Sequence, residues 1–321
     1  MPRRNFMLKL ATVPLLAISP RAFAQFAHTR AMRIIVPFAP GGSGDITGRL
    51  IAQYVGDKTG KKVVIENKPG ANGIIGVEAA KTSPADGSTL LLATTSTHAA
   101  NPSLYRKLPY NPDNDFTIIS VLGSGGSYVL VKPDAPYKTF ADFIAYAKSN
   151  PGALNYGYFN ASSNVPGALL NNAAGIELTP VPYKQIGTAM ADLMAGQVQV
   201  SFVDSAAGDA YVTSGQLRAL AITRRDRWAK HPDLPTVSEF YPGFEVTGFL
   251  GLAVPAGTPR DAMLALNELI NDAITSEPMR SKMEGFGFTP KRMNLDECIA
   301  FVRNERAKWT RYVAMAKIEP Q

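Results

Sequence analysis

Gly41-Gly42-Ser43-Gly44-Asp45 stands between an apolar segment, residues 34–38, and an amphipathic one, residues 46–54. A strand that turns through glycines into a helix presents backbone N–H groups with no partner inside the helix, and glycine lets a ligand approach them closely. The helix dipole adds about half a positive charge at that end. The chemistry is capture of an anion, a carboxylate or a phosphate. No Lys-Ser/Thr pair follows the glycines, and Gly42-x-Gly44-x-x-x-Gly48 misses the dinucleotide spacing by one residue. Nucleotide phosphate is therefore the less expected anion, and no cofactor is expected.

A second set of anion donors follows the apolar run 89–93: Thr94-Thr95-Ser96-Thr97-His98, dense in hydroxyls. Asp45 has two readings, a cap that accepts a helix N–H or a direct contact to an amino or hydroxyl group of the ligand. His98 stands without an evident partner and reads as structural. No G-x-S-x-G elbow is present, and the histidines at 28, 98 and 231 have no metal-ligand spacing. Neither catalytic residues nor a bound metal are expected.

The elements that must position these loops alternate between β-rich and helical patterns, the signature of α/β layers. One series places strands at 32–36, 62–66 and 89–93 with helices at 46–54 and 74–80. A second places helices at 140–147, 167–174 and 187–195 among strands at 154–156, 180–183, 197–203 and 217–222. Two series predict two lobes. The apolar runs 128–131 and 249–254, each leading into a Pro-rich turn, read as the two crossings between them. Helices at 261–275, 278–284 and 295–313 pack back on the first lobe. Ligands of such sheets sit beyond the carboxyl ends of strands, here in the cleft.

Arg3, Arg4 and Lys9 precede an apolar run at 10–18, and Ala22-Phe23-Ala24 offers small residues for cleavage. Residues 1–24 read as an export signal, the run being too short to span a bilayer. The paired arginines also fit a twin-arginine signal, so the export route stays open. Without Arg3, Arg4, Lys9 and Arg21 the net charge falls from +7 to +3, and the basic residues are dispersed, so no nucleic-acid surface is expected. Cys298 is the only cysteine, which leaves stability to the core.

Pro37-Phe38-Ala39-Pro40-Gly41-Gly42-Ser43-Gly44-Asp45, Asn67-Lys68-Pro69-Gly70-Ala71-Asn72-Gly73, Val181-Pro182-Tyr183-Lys184 and Gly215-Gln216-Leu217-Arg218-Ala219-Leu220 occur in one order and spacing. Together they resemble the extracytoplasmic substrate-binding proteins of tripartite tricarboxylate transporters, the Bug family, over essentially the whole chain after residue 24. The resemblance implies a two-lobed periplasmic binding protein, a Venus flytrap of two α/β sheets. Lobe I would comprise 25–131 and 253–321, and lobe II 132–252. It implies a small carboxylate as ligand and membrane permease subunits as partner; a sensor kinase would use the same fold and pocket.

Carried over, the loop with Phe38, Gly41, Gly42, Ser43 and Asp45 matches the family's carboxylate loop, joined by Thr95, Ser96 and Thr97. In lobe II the chain departs from the family. The turn after Tyr156-Gly157 is shorter, with Asn164 where the family has His. Tyr158 and Phe159 either stack on a flat ligand or pack under the loop, and Ser162 and Ser163 are further candidates. Asp204 either selects a donor on the ligand or caps the next helix. The ligand itself stays open among aliphatic diacids, acidic amino acids and aromatic acids.

Overall fold

The computed structural model describes residues 31–321; the expected export signal lies outside them. β1 (Ala31–Val36) pairs in parallel with β2 (Lys62–Asn67) and with β3 (Thr89–Thr94). Ile34, Ile35 and Val36 are wholly buried, as a parallel strand covered on both faces requires. Alternate side chains leave β1 on opposite faces. Ile34 and Val36 meet Ile51 and Val55 of α1 (Ser43–Thr59) and Leu266 and Ile270 of a later helix, whereas Ile35 joins Val77 of α2 (Ile74–Lys81).

The sheet continues through β9 (Thr247–Pro255), antiparallel to β3, and β4 (Phe116–Val131), antiparallel to β9. β4 is the element that joins the lobes. From Phe116 to Gly126 it pairs with β9; from Ser127 to Val131 it pairs with β7 (Val200–Asp204) and β8 (Arg218–Ile222). Beyond β7 lie β5 (Leu154–Tyr158) and β6 (Leu178–Pro182), all three parallel. The strand order is β2-β1-β3-β9-β4-β7-β5-β6, with β8 also on β4. The fold is the expected two-lobed α/β arrangement, and the exchange of partners falls five residues before Val131.

Lobe II carries four helices after α3 (Asn101–Leu104): α4 (Phe140–Ser149), α5 (Ala161–Ala174), α6 (Ile186–Ala195) and α7 (Ser205–Thr213). The chain then returns as α8 (Arg260–Thr275), α9 (Glu277–Gly285) and α10 (Leu295–Met315). α10 touches both lobes: Arg306 Nε donates to the His98 carbonyl at 2.9 Å, and Asn172 of α5 donates to the Met315 carbonyl at 2.8 Å. Among the described residues no helix is long and apolar enough to cross a membrane.

One element departs from its expected bounds in a way that matters. α5 begins at Ala161, six residues before the expected 167, because Asn160 caps it reciprocally. Asn160 Oδ1 accepts from the Ser163 N–H at 2.9 Å, and Ser163 Oγ accepts from the Asn160 N–H at 3.1 Å. The capping box overrides Pro166, which sits inside the helix.

Close packing behind the first loop gives a test. A Cβ on Gly76 of α2 would stand 2.6 Å from Pro37 Cα and 3.0 Å from the Lys68 carbonyl oxygen, both backbone. Gly76→Ala is expected to cost about 1–3 kcal/mol. Gly187, in the first turn of α6, faces open space, and Gly187→Ala is expected to add about 0.4–1 kcal/mol. Urea unfolding midpoints with unchanged slopes check both.

Candidate functional site

β1 ends at Val36, and the chain turns through Gly41 at φ +85°, a left-handed conformation that glycine adopts without strain. Gly42 then stands extended as the N-cap of α1, with no side chain bonded to the open N–H groups of the first turn. Only the Ala39 carbonyl, 3.9 Å away, would meet a Cβ on Gly42, so this position opens on the cleft. Gly44 has another reason to be small: a Cβ there would lie 2.5 Å from Leu92 Cδ2 of β3.

Asp45 takes neither of its expected roles. Its carboxylate accepts from Arg49 Nε at 3.1 Å and Nη2 at 2.9 Å, from Asn67 Nδ2 at 3.0 Å and from the Gly41 N–H at 3.1 Å. It fastens the loop from behind and does not line the cleft. Burial opposes its ionisation, but the bonds from Arg49, Gly41 and Asn67 outweigh that and hold its pKa below the usual 3.8.

The second loop winds into a π-helical turn, Ser96–Ala100, a form frequent at functional sites. Thr95 Oγ1 accepts from the Phe249 N–H of β9 at 2.6 Å, pinning the turn to that strand. Thr97 is turned inward, its hydroxyl bonded to the Thr94 N–H at 3.1 Å and to His98 Nδ1 at 2.9 Å. Ser96 differs. Only 1% exposed, its hydroxyl has no protein partner and it lines the cleft. His98 is structural, as read: burial pushes its pKa down to about 3, and the nearby Arg306 guanidinium acts in the same direction.

From lobe II, Phe159, Asn160 and Ser162 reach the cleft at the start of α5, and Asp204 reaches it from the end of β7. Ser162 is therefore on a helix start and not on a turn. Ser163 is spent on the capping box and on the Phe159 N–H, 2.9 Å from its Oγ. Tyr158 packs with its ring centroid 6.1 Å from that of Tyr156 and does not line the cleft. Asp204 caps α7, accepting from the Ala207 N–H at 3.1 Å, and the Ser43 hydroxyl lies near it from the opposite lobe. Burial raises its pKa above the usual 3.8.

The cleft so built encloses about 70 Å³, room for about five waters at about 10–15 Å³ each. Of the expected site residues it brings together Phe38, Gly42, Ser43, Thr95, Ser96, Phe159, Ser162 and Asp204, and leaves out Gly41, Asp45, Thr97, Tyr158 and Ser163. It adds Lys184, Gln185 and Ile186 at the start of α6, and the rings of Phe249 and Phe288. The α6 start was visible in principle: Val181-Pro182-Tyr183-Lys184 precedes a helix as residues 34–38 do. Phe288, on the loop after α9, carries no local signal.

Four helices, α1, α5, α6 and α7, thus begin at one cleft, and the first turns of α1 and α6 have no side-chain cap. Their dipoles and open N–H groups make the space attractive to an anion without a buried cation. Lys184, at the exposed rim, is the one Lys or Arg in the lining.

Fold and cleft define a two-lobed periplasmic solute-binding protein. The chain belongs to the tripartite tricarboxylate transporter family of receptors, whose family model matches residues 47–318. It is 32% identical over 284 residues to the protein BugT of Bordetella pertussis, covering 87% of each chain. Its fold is similar to Rpa4515 of R. palustris solved with adipate, at TM-score 0.89 and 31% identity over 92% of this chain and 99% of that one. It is similar also to MatC of Rhodopseudomonas palustris with bound malate, at TM-score 0.83 and 29% identity over 89% and 99%.

Asp45→Ala removes the fastening behind the loop and is expected to destabilise the protein by about 1–3 kcal/mol. The Arg49 part is reduced by solvent screening, since that side chain is 55% exposed. Because the folded pKa is depressed, this contribution is complete above pH 3.8 and is lost as the pH falls through the lowered folded value. Melting temperatures of the two proteins should therefore converge in acid.

Proposed function

We propose that the protein captures a small carboxylate in this cleft and delivers it to the permease subunits of a tripartite tricarboxylate transporter. The observation that carries the reading is the pairing of an uncapped helix start at Gly42 and Ser43 with the buried, unpartnered hydroxyl of Ser96. Both are hydrogen-bond donors aimed at one space, and a carboxylate oxygen can accept from both. The adipate and malate found in the two related structures are acids of the same class. An export signal at residues 1–24 would place the mature protein where such a ligand arrives.

Calorimetry with the protein lacking residues 1–24, against a panel of carboxylates, tests this. One site per chain is expected, with a Kd on the order of micromolar, about 8 kcal/mol. Gly42→Val, at a position whose backbone is extended and whose surroundings leave room, should fold with an unchanged melting temperature and lose binding. Ser96→Ala should cost about 0.5–1.5 kcal/mol of affinity. A folded Gly42→Val protein that keeps full affinity moves the anion elsewhere.

We place the hinge where β4 exchanges partners, Gly126–Ser127, and where β9 begins, at Thr247. Gly123, Gly125 and Gly126 lie beside the first crossing, where glycine permits backbone angles that other residues resist, and Gly287, Phe288 and Arg224 pack closely against them. Ligand-driven closure about these points is expected to lower the radius of gyration. Small-angle scattering at saturation checks it, and an unchanged radius from an open starting state counts against it.

A further inference from the structure

We propose that Asp204 chooses among carboxylic acids, accepting a hydrogen bond from a hydroxyl or ammonium group that the ligand carries beside its carboxylate. This rests on the reading that the carboxylate itself is held at the start of α1.

Asp204 is placed for this by two elements. It ends β7, at the carboxyl edge of the lobe II sheet, and begins α7, so its side chain faces the cleft while its backbone is held from both sides. The Ala207 N–H donates to its carboxylate at 3.1 Å, and the Ser43 hydroxyl of the opposite lobe lies close by. Neither is charged, and among the described residues no Lys, Arg or His forms an ion pair with it. A carboxylate has about four acceptor sites, so capacity remains toward the cavity.

The neighbouring anion site makes that capacity selective. Ser43 belongs to the first turn of α1 and also lies near Asp204, so a carboxylate bound to that turn lies close to a second carboxylate. When both are ionised the two repel in a water-poor cleft. An acid with only methylene groups beside its carboxylate leaves the cavity-facing acceptor sites of Asp204 desolvated and unanswered, which is the costly arrangement. A hydroxyl or ammonium on the carbon next to the bound carboxyl turns the same residue into a charge-assisted acceptor. A site built around such an acceptor discriminates strongly against the analogue that lacks the donor.

Matched acids test the choice. Wild-type protein is titrated by calorimetry with succinate, malate and aspartate, and with propionate, lactate and alanine. In each set a donor-bearing member is expected to bind about 10- to 100-fold tighter than the parent acid, the range given by one hydrogen bond to a charged group. Asp204→Ser keeps a good helix cap but withdraws the acceptor from the cavity, and should reduce the preference below about threefold. Asp204→Asn keeps shape and cap without the charge, and should bind the parent acid more tightly than wild type does. Parent acids that bind wild type as well as the substituted ones, or a preference that survives in a folded Asp204→Ser protein, overturn the proposal while leaving carboxylate capture standing. Failure of wild type to bind any carboxylate in the panel overturns both.

Discussion

The first turns of α1 and α6 present N–H groups that no side chain caps, at the floor of a cleft between two sheets. Backbone donors left open there demand an acceptor from water or from a ligand. Everything nearby serves to keep them open. Gly41 takes the left-handed turn, Gly42 clears the approach, Gly44 lets α1 settle on Leu92, and Asp45 ties the loop down from its far side. The negative charge of Asp45 is balanced by Arg49 and hydrogen-bonded by Asn67, away from the space where an anion would sit.

A cleft between lobes also needs a connection that is continuous yet able to bend. β4 supplies it, because one strand of sixteen residues belongs to both sheets. Its pairing passes from β9 to β7 and β8 at Gly126–Ser127 within one continuous strand, with register shifts at 118–120 and 121–123 against β9 and at 129–130 against β8. Thr95 holds β9 through the Phe249 N–H, and Asn72 reaches from lobe I to the Ala161 N–H at 3.1 Å. The loops that line the cleft are thus coupled to the crossings, and movement of one lobe is felt at the ligand's donors.

The strand, turn and helix at residues 31–59 were legible in the sequence because every contact that defines them is local: apolar run, glycines, amphipathic run. The role of Asp45 was not, because it depends on Asn67, 22 residues away, and on an Arg one turn further along a helix whose start had to be known first. Ser162 and Ser163 read as a turn because Pro166 breaks the helical pattern. The cap at Asn160 and its partner Ser163 decided otherwise, leaving Ser162 facing the cleft and Ser163 facing its own helix. Phe249 and Phe288 come to the cleft only through the crossing strand and the returning chain. No window of residues around them announces it.

Holding an anion with helix starts instead of an arginine has a consequence for release. A buried guanidinium would need a permanent counterion or a high desolvation cost whenever the cleft was empty of ligand. N–H groups and a serine hydroxyl carry partial charges, accept water as readily as a carboxylate, and leave no unpaired ion behind when the lobes part. The one acidic side chain that lines the interior, Asp204, has when ionised the sign that repels a carboxylate. Capping α7 accounts for an Asp at this position, and a ligand that brings a donor would use the acceptor capacity the cap leaves free. The backbone then supplies affinity for the class, and a single side chain on the opposite lobe supplies the choice within it.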